Sequence, residues 1–210
     1  MLVHPWDAPL DDAEWRQWLG GHDFGQLIAV GEGRDVPIVV PTHFLFDGDR
    51  TVRLHLARPN PVWAALQERP RALLTVIDDY TYVPTSWQAA AGTPPELGVP
   101  TSYYATVQLA GDVRVVDDPV EKAQILSGQL RHHQPDGGYA EPDAEHEHFR
   151  RQLPGIRGIV LTVTGVRAKF KYGGNKKPEH RELLAQHLAE RDGPADARAR
   201  EHLLRRHRAT

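Results

Sequence analysis

Hydrophobic and polar positions alternate in several segments of the chain, and this alternation predicts β-strands. Between Thr51 and Ala57, apolar side chains fall at every second position, as in a strand with one buried face. A nearly continuous apolar run over 72–77 predicts a central strand. The predicted strands cover residues 24–30, 36–46, 51–57, 72–77, 101–116 and 158–171.

Capping residues predict where the helices begin. Asn60 can cap a helix, and Pro61 fits its first turn because no amide hydrogen is needed there. Asp118 and Pro119 repeat this pattern. The predicted helices cover residues 11–20, 61–68, 118–132, 143–153, 179–191 and 195–207. The Ala-, Gly- and Pro-rich segment 88–100 is predicted to be a mobile loop or lid.

This order of elements favours an α+β domain based on a β-barrel, with helices at its corners and ends. We expect the barrel domain to cover residues 1–175. Residues 176–210 would form a C-terminal helical extension packed on or near the barrel, because their charges run in both signs on two amphipathic helices.

Composition and charge exclude several kinds of site and function, whereas they say little about the fold. The chain has 210 residues, no cysteine and a formal net charge of −3. The lack of cysteine excludes disulfides and thiolate-ligated metals. The charge balance and the lack of a helix-turn-helix pattern argue against nucleic-acid binding. Since no apolar run approaches the roughly 20 residues of a membrane span, we expect a cytoplasmic protein without membrane contact.

The segment 51–63 predicts a cofactor site. His55 and Arg58 stand at the end of a strand, beside the N-terminus of the helix that Asn60 caps. Helix N-termini favour anions, and the planar guanidinium of arginine suits a phosphate or a carboxylate. This corner is therefore predicted to hold an anionic cofactor.

Five motifs in this chain resemble those of one family and follow the family's order. They are Thr-His-Phe (42–44), His-Leu-Ala-Arg-Pro-Asn-Pro-Val-Trp (55–63), Tyr-Val-Pro-Thr-Ser-Trp (82–87), Val-Pro-Thr-Ser-Tyr (99–103) and Gly-Val-Arg-Ala-Lys-Phe-Lys (165–171). They resemble the PaiB-like family of FMN-binding transcriptional regulators. This resemblance implies a split β-barrel of the FMN-binding type, with peripheral helices, and a homodimer with its cofactor at the subunit interface.

The resemblance implies two kinds of function. One is the haem-dependent piperazate synthase of the same family, which forms an N–N bond to convert N5-hydroxy-L-ornithine into L-piperazate in antibiotic biosynthesis. The other is an FMN-binding negative transcriptional regulator or a flavin-dependent reductase. The chain departs from the family pattern at 84–85, 88–91 and 172–174, in groups that could hold a flavin. The resemblance to the piperazate synthase branch implies haem b as the cofactor and an N-hydroxylated diamino acid as the substrate, with FMN as the alternative cofactor.

Candidate site residues follow from this assignment. His55 is the predicted ligand of the haem iron, and His43 is the alternative, because the chain has no cysteine and its methionine is the initiator. Arg58, Lys169 and Lys171 are candidates for binding acidic cofactor groups, and the two lysines are expected to share a face because they alternate with Phe170 on one strand. The alternatives are a salt bridge for Arg58 and exposed edge lysines for Lys169 and Lys171. Four further residues are candidates for lining a planar cofactor: Tyr82, Ser86, Trp87 and Tyr103. The sequence identifies no general base.

Overall fold

A computed structural model describes residues 1–90 and 92–208, with side chains described as far as residue 205. In this part of the chain, seven strands form one antiparallel sheet with the order β2-β1-β5-β6-β7-β4-β3. The strands are β1 (Phe24–Ala29), β2 (Ile38–His43), β3 (Leu45–Phe46), β4 (Thr51–Ala57), β5 (Arg71–Val83), β6 (Thr101–Val116) and β7 (Ile156–Lys171).

The described residues also form seven α-helices and three short 3₁₀ helices. The α-helices are α1 (Asp12–Gly20), α2 (Val62–Glu68), α3 (Thr85–Gln88), α4 (Pro119–His133), α5 (Glu147–Gln152), α6 (Pro178–Arg191) and α7 (Asp196–Arg208). The 3₁₀ helices are Pro5–Asp7, Pro95–Leu97 and Leu153–Gly155. Across the described residues, every helix is too short or too polar to cross a membrane.

The chain divides into two compact units, and three long strands contribute residues to both. Unit 1 comprises Met1–Trp15, Ile77–Val107 and Arg167–Thr210, and unit 2 comprises Arg16–Val76 and Gln108–Val166. The division into a barrel of residues 1–175 and an extension of 176–210 stays a prediction.

Unit 2 contains the predicted strand, corner and helix. Along β4 the apolar residues at 52, 54 and 56 are buried, and β4 pairs antiparallel with β7. Asn60 Oδ1 accepts the backbone N–H of Val62 at 3.0 Å, so asparagine caps the first turn as predicted. The buried Trp63 side chain donates its indole N–H to the carbonyl of Ala57 at 2.9 Å, which closes the corner.

Gly111 lies within β6, which runs unbroken from Thr101 to Val116. The glycine is needed there because a Cβ at this position would lie 2.3 Å from the carbonyl oxygen of Thr162 on β7. The two strands can therefore approach closely only if residue 111 has no side chain.

Unit 1 joins the C-terminal helices to the second half of β5. His202 Nε2 lies 3.0 Å from Asp79 Oδ2, and the Tyr172 hydroxyl donates to the Asp79 carbonyl at 3.2 Å. Arg191 donates to the carbonyl of Tyr82 and to Asp196, each at 2.7 Å. These polar contacts, of which those to Asp79 are buried, fix α6 and α7 to the strand.

Two predicted strands differ from the observed ones by more than two residues. The segment 36–46 forms two strands, because β2 pairs with β1 whereas β3 pairs with β4. The strand predicted to end at residue 77 continues to Val83. Asp79, with φ of 54°, shifts the buried positions from even to odd numbers. Tyr80 and Tyr82, at even positions in the second half of β5, are therefore exposed.

Candidate functional site

Unit 1 contains a basic cavity of about 400 Å³, a volume within the usual range for small-molecule sites. Its walls come from three separate segments, at residues 4–7, 88–103 and 169–176. Among the lining side chains, Lys169, Lys171 and Lys176 carry positive charge and Asp7 carries negative charge. The cavity therefore has an excess of positive charge, which favours an anionic ligand. We call it the lysine cavity.

Two lysines of β7 reach the lysine cavity from one face of the strand. Lys171 Nζ donates to Thr101 Oγ1 at 2.8 Å. Lys169 Nζ donates to the carbonyl of Leu2 at 2.9 Å and lies 3.7 Å from the carboxylate of Asp7. Lys169 is only 8% exposed, so it is not a solvated edge lysine. The shared face predicted from their alternation is confirmed.

Tyr103 supplies a buried hydroxyl to the lysine cavity. Burial raises its pKa to about 12, although the nearby Gln88 amide opposes this shift. The phenol is therefore neutral at physiological pH and keeps its proton for donation. Neither the Tyr103 hydroxyl nor the Gln88 amide nitrogen makes a hydrogen bond of normal geometry with another described residue. Buried polar groups are normally satisfied, so both are candidates for binding a ligand.

Gly173 allows the chain to pass close to this tyrosine. Its φ is +66°, and a Cβ there would lie 2.5 Å from the Tyr103 hydroxyl oxygen. A side chain at this position would be strained and would collide with the hydroxyl. The glycine that follows Tyr172 therefore keeps the hydroxyl accessible to the lysine cavity.

A second cavity in unit 1, of about 560 Å³, shares Gln88, Asn175 and Lys176 with the first. It also contains Lys177 and His180. Burial and the neighbouring Lys176 lower the pKa of His180. The imidazole is therefore neutral at pH 7, and the positive charge of this cavity comes from its lysines.

Three predicted cofactor-lining residues of unit 1 do not line these two cavities. The Trp87 ring stacks on His187 at 4.9 Å between centroids, and the Arg191 guanidinium lies 4.7 Å from the Trp87 ring centroid. Tyr82 is 49% exposed, and Ser86 is exposed at the start of α3. Trp87 thus packs between α3 and α6.

In unit 2, His55 has one ring nitrogen held by another side chain. Its Nδ1 lies 2.5 Å from the amide oxygen of Gln129 on α4, and Gln129 is buried. Because an amide oxygen only accepts, the imidazole carries its proton on Nδ1 and its lone pair on Nε2. This is the arrangement in which an outer partner orients a metal-binding histidine.

Arg58 and His43 have protein partners in unit 2. Arg58 Nε donates to the carbonyl of Pro154 at 2.5 Å, and its NH2 donates to Asp117 at 3.3 Å. The carboxylate of Asp117 also accepts from Arg157, which lowers its pKa. Arg58 is therefore part of an exposed salt bridge. The exposed ring of His43 packs edge-on against Phe24 and His133.

The structure thus brings Tyr103, Lys169 and Lys171 to one cavity, whereas His55 and Arg58 lie in unit 2. The sequence analysis missed Gln88 and Gln129. Neither has a charge or a recognisable spacing, although Gln88 begins the segment 88–91, where the chain departs from the family pattern. Lys176 belongs to a basic segment, Gly173–Lys177. The charge of this segment could have indicated that a third lysine lines the cavity.

A protein-family model matches most of the chain. The family described as "Putative FMN-binding domain" matches residues 1–165, which is well over half of the chain. The matched region contains the His55 corner and Tyr103 but ends before Lys169 and Lys171. No curated protein matches the chain significantly.

Solved structures share the fold at low sequence identity. The FAD and haem binding protein from Mycobacterium smegmatis is 15% identical, with a TM-score of 0.59 over 82% of this chain and 77% of that chain. The flavocytochrome Anf3 from Azotobacter vinelandii is 18% identical, with a TM-score of 0.57 over 80% and 71%. A conserved hypothetical protein from Mycobacterium tuberculosis is 14% identical, with a TM-score of 0.55 over 81% and 90%. The predicted α+β split-barrel fold is confirmed.

Proposed function

Because the chain belongs to the FMN-binding domain family, we propose that it is an FMN-dependent oxidoreductase acting on a small molecule in the cytoplasm. The lysine cavity is the observation that carries this proposal. FMN has a phosphate and a neutral isoalloxazine ring. A cavity with three lysines and a neutral tyrosine donor fits the phosphate.

The side chains present have definite roles in this proposal. Lys171, oriented by Thr101, and Lys169 bind phosphate oxygens through charge-assisted hydrogen bonds. Tyr103 donates its proton to the same group, because burial keeps it protonated. Bound FMN would supply hydride and electron transfer. The lysines hold and neutralise the phosphate and take no part in proton transfer to the reacting atoms.

The test is the absorbance spectrum of the purified full-length protein, before and after incubation with FMN and desalting. The proposal expects flavin bands that remain with the protein, and oxidation of a nicotinamide donor by the loaded protein. A protein that neither retains FMN nor quenches FMN fluorescence on titration would overturn the proposal.

A second candidate is a haem b-dependent cyclase resembling piperazate synthase, and the bond between His55 and Gln129 favours it. The lone pair on His55 Nε2 would bind the iron, while Gln129 keeps the ring in the required tautomer. Haem bound there would supply a Lewis-acidic iron. Two of the structural neighbours are described as a flavocytochrome and as an FAD and haem binding protein, so haem occurs on this fold.

The net reaction of the cyclase requires no external reductant. In N5-hydroxy-L-ornithine the α-amino nitrogen forms a bond to the hydroxylated nitrogen, the N–O bond breaks, and water leaves. The oxidation state change is internal to the substrate. We propose that His55 fixes the iron in this reaction and that the protein acts as a homodimer with the cofactor at the subunit interface.

Haem titration of the cofactor-free protein separates the two candidates. The cyclase requires a Soret band that shifts on binding, and formation of L-piperazate detected by mass spectrometry. A protein that binds FMN but gives no haem spectral shift would exclude the cyclase and leave the oxidoreductase. Light scattering on the loaded protein tests the dimer, and a monomer would contradict it.

A further inference from the structure

A cluster of two histidines and one aspartate lies in unit 2, and none of its three members is assigned to a cofactor. Asp23 precedes β1, and His132 and His133 are the last two residues of α4. One ligand atom from each of these side chains lies within 4.8 Å of the others. Two imidazoles and one carboxylate form a common donor set for divalent transition metals.

The distances suit a small ion. Asp23 Oδ2 lies 2.9 Å from His132 Nε2 and 3.5 Å from His133 Nδ1. Ligand atoms of tetrahedral Zn²⁺ lie about 3.4 Å apart, because each bond is about 2.0–2.1 Å long. The three side chains are partly exposed, between 31% and 43%, so they can adjust to an ion and leave it open to water.

The backbone fixes the elements that carry these ligands. The Asp23 carbonyl accepts the N–H of Phe44 at 2.8 Å, and the last turn of α4 is closed by a 2.7 Å bond from Gln134 N–H to the Leu130 carbonyl. The ring of His43 packs edge-on against His133, with centroids 4.8 Å apart. The C-terminal end of a helix also favours a positive charge.

We propose that Asp23, His132 and His133 bind one Zn²⁺ ion through a carboxylate oxygen and two imidazole nitrogens, with a fourth position open to water. In an ion pair, two imidazoles compete for the same carboxylate oxygen, whereas a metal uses all three donors at once. This site is independent of the FMN and haem proposals, because none of its ligands is assigned to either cofactor.

The test is calorimetric titration of the chelator-treated, untagged full-length protein with Zn²⁺. The proposal expects one ion per chain, and a visible spectrum of a site with nitrogen and oxygen ligands when Co²⁺ replaces Zn²⁺. Both Asp23→Asn and His133→Gln should weaken binding by at least about tenfold, because losing a ligand costs more than losing an outer partner.

His148→Gln is the matched control, since His148 is an exposed histidine on α5 outside the cluster. It should leave the affinity and the stoichiometry unchanged. Circular dichroism establishes that each variant is folded. The proposal is overturned if the wild-type chain binds no Zn²⁺, or if folded Asp23→Asn and His133→Gln variants bind Zn²⁺ as tightly as the His148→Gln control.

Discussion

The lysine cavity and the corner around His55 present polar groups in opposite ways. The lysine cavity is built from three segments that are far apart in sequence, and its Tyr103 hydroxyl and Gln88 amide nitrogen have no hydrogen bond of normal geometry. The corner is one continuous segment, 51–63. Its Arg58 and Trp63 donate to protein carbonyls.

The comparison shows that the most recognisable sequence motif is not the region with the most polar groups available to a ligand. The corner is the most recognisable part of the sequence, yet most of its polar groups stabilise the turn itself. His55 Nε2 is the group that the corner leaves to a ligand. In the lysine cavity, buried donors that make no hydrogen bond of normal geometry favour a ligand that supplies acceptors, because poorly satisfied buried polar groups are costly. The predictions below test the two regions in turn.

The largest expected effect concerns the lysines of β7. The double variant Lys169→Gln/Lys171→Gln should bind FMN at least ~100-fold more weakly, because two charge-assisted hydrogen bonds at ~1.5–3 kcal/mol each are removed. Fluorescence titration of the cofactor-free protein gives the dissociation constants. The control is Arg167→Gln, which removes one charge from an exposed position of the same strand. If Arg167→Gln weakens FMN binding as much as the double variant does, net charge rather than hydrogen bonding by the two lysines determines FMN affinity.

The corresponding test of the corner is Gln129→Leu. This change removes the oxygen that holds His55 Nδ1, so haem affinity should fall by about 10–100-fold. FMN affinity should not change, since Gln129 does not line the lysine cavity. Haem titration followed at the Soret band gives the affinity. Unchanged haem binding in Gln129→Leu would remove the support that this bond gives to the cyclase.

A smaller effect is expected on the stability of unit 1. Asp196 has a pKa of about 2, lowered by its hydrogen bond from Arg191 and, to a lesser degree, by that from Thr81, against the opposing effect of burial. Its stabilisation is therefore complete above about pH 4 and disappears as the pH falls towards 2, and it amounts to about 2 kcal/mol. Asp196→Asn should lower the free energy of unfolding by this amount at pH 7.

Urea denaturation between pH 2.5 and 7 measures the free energy of unfolding over roughly the pH range in which a carboxylate of this kind titrates. The control is Asp192→Asn, which changes an exposed residue at the end of α6 and should have little effect. If Asp196→Asn keeps the full pH dependence of the wild-type chain below pH 4, another carboxylate is responsible for it.

The smallest effect is expected for Arg58→Gln. The Arg58 side chain is 48% exposed and its partner Asp117 is 51% exposed, and exposed pairs contribute about 0–1 kcal/mol. Haem and FMN affinities should stay within about twofold of wild type, because Arg58 already has protein partners. A loss of haem binding in Arg58→Gln would instead support its predicted role with an acidic cofactor group.

Local rules were sufficient for much of the fold. The buried positions of β4, the Asn60 cap and the full extent of β6 all follow from alternation and capping. The extension of β5 to Val83 did not follow. The positive φ of Asp79 changes which face is buried, and alternation alone cannot register such a shift in phase.

The candidate site was predictable only in part. The alternation of Lys169 and Lys171 placed them on one face, but their burial depends on segments 4–7 and 99–103, which no local pattern links to β7. Arg58 illustrates the opposite case. Its motif predicted a cofactor contact, whereas the carbonyl of Pro154 and Asp117, both distant in sequence, occupy its donors.

The central claim is that the lysine cavity binds the phosphate of FMN, and comparing FMN with riboflavin tests it most directly. Riboflavin has the same ring without the phosphate. We expect the wild-type chain to bind FMN at least ~100-fold more tightly than riboflavin. In Lys169→Gln/Lys171→Gln this preference should fall to about tenfold or less, because only Tyr103 and Lys176 remain to bind the phosphate. Equal affinities in the wild-type chain, or a preference for FMN that is undiminished in the double variant, would contradict the claim.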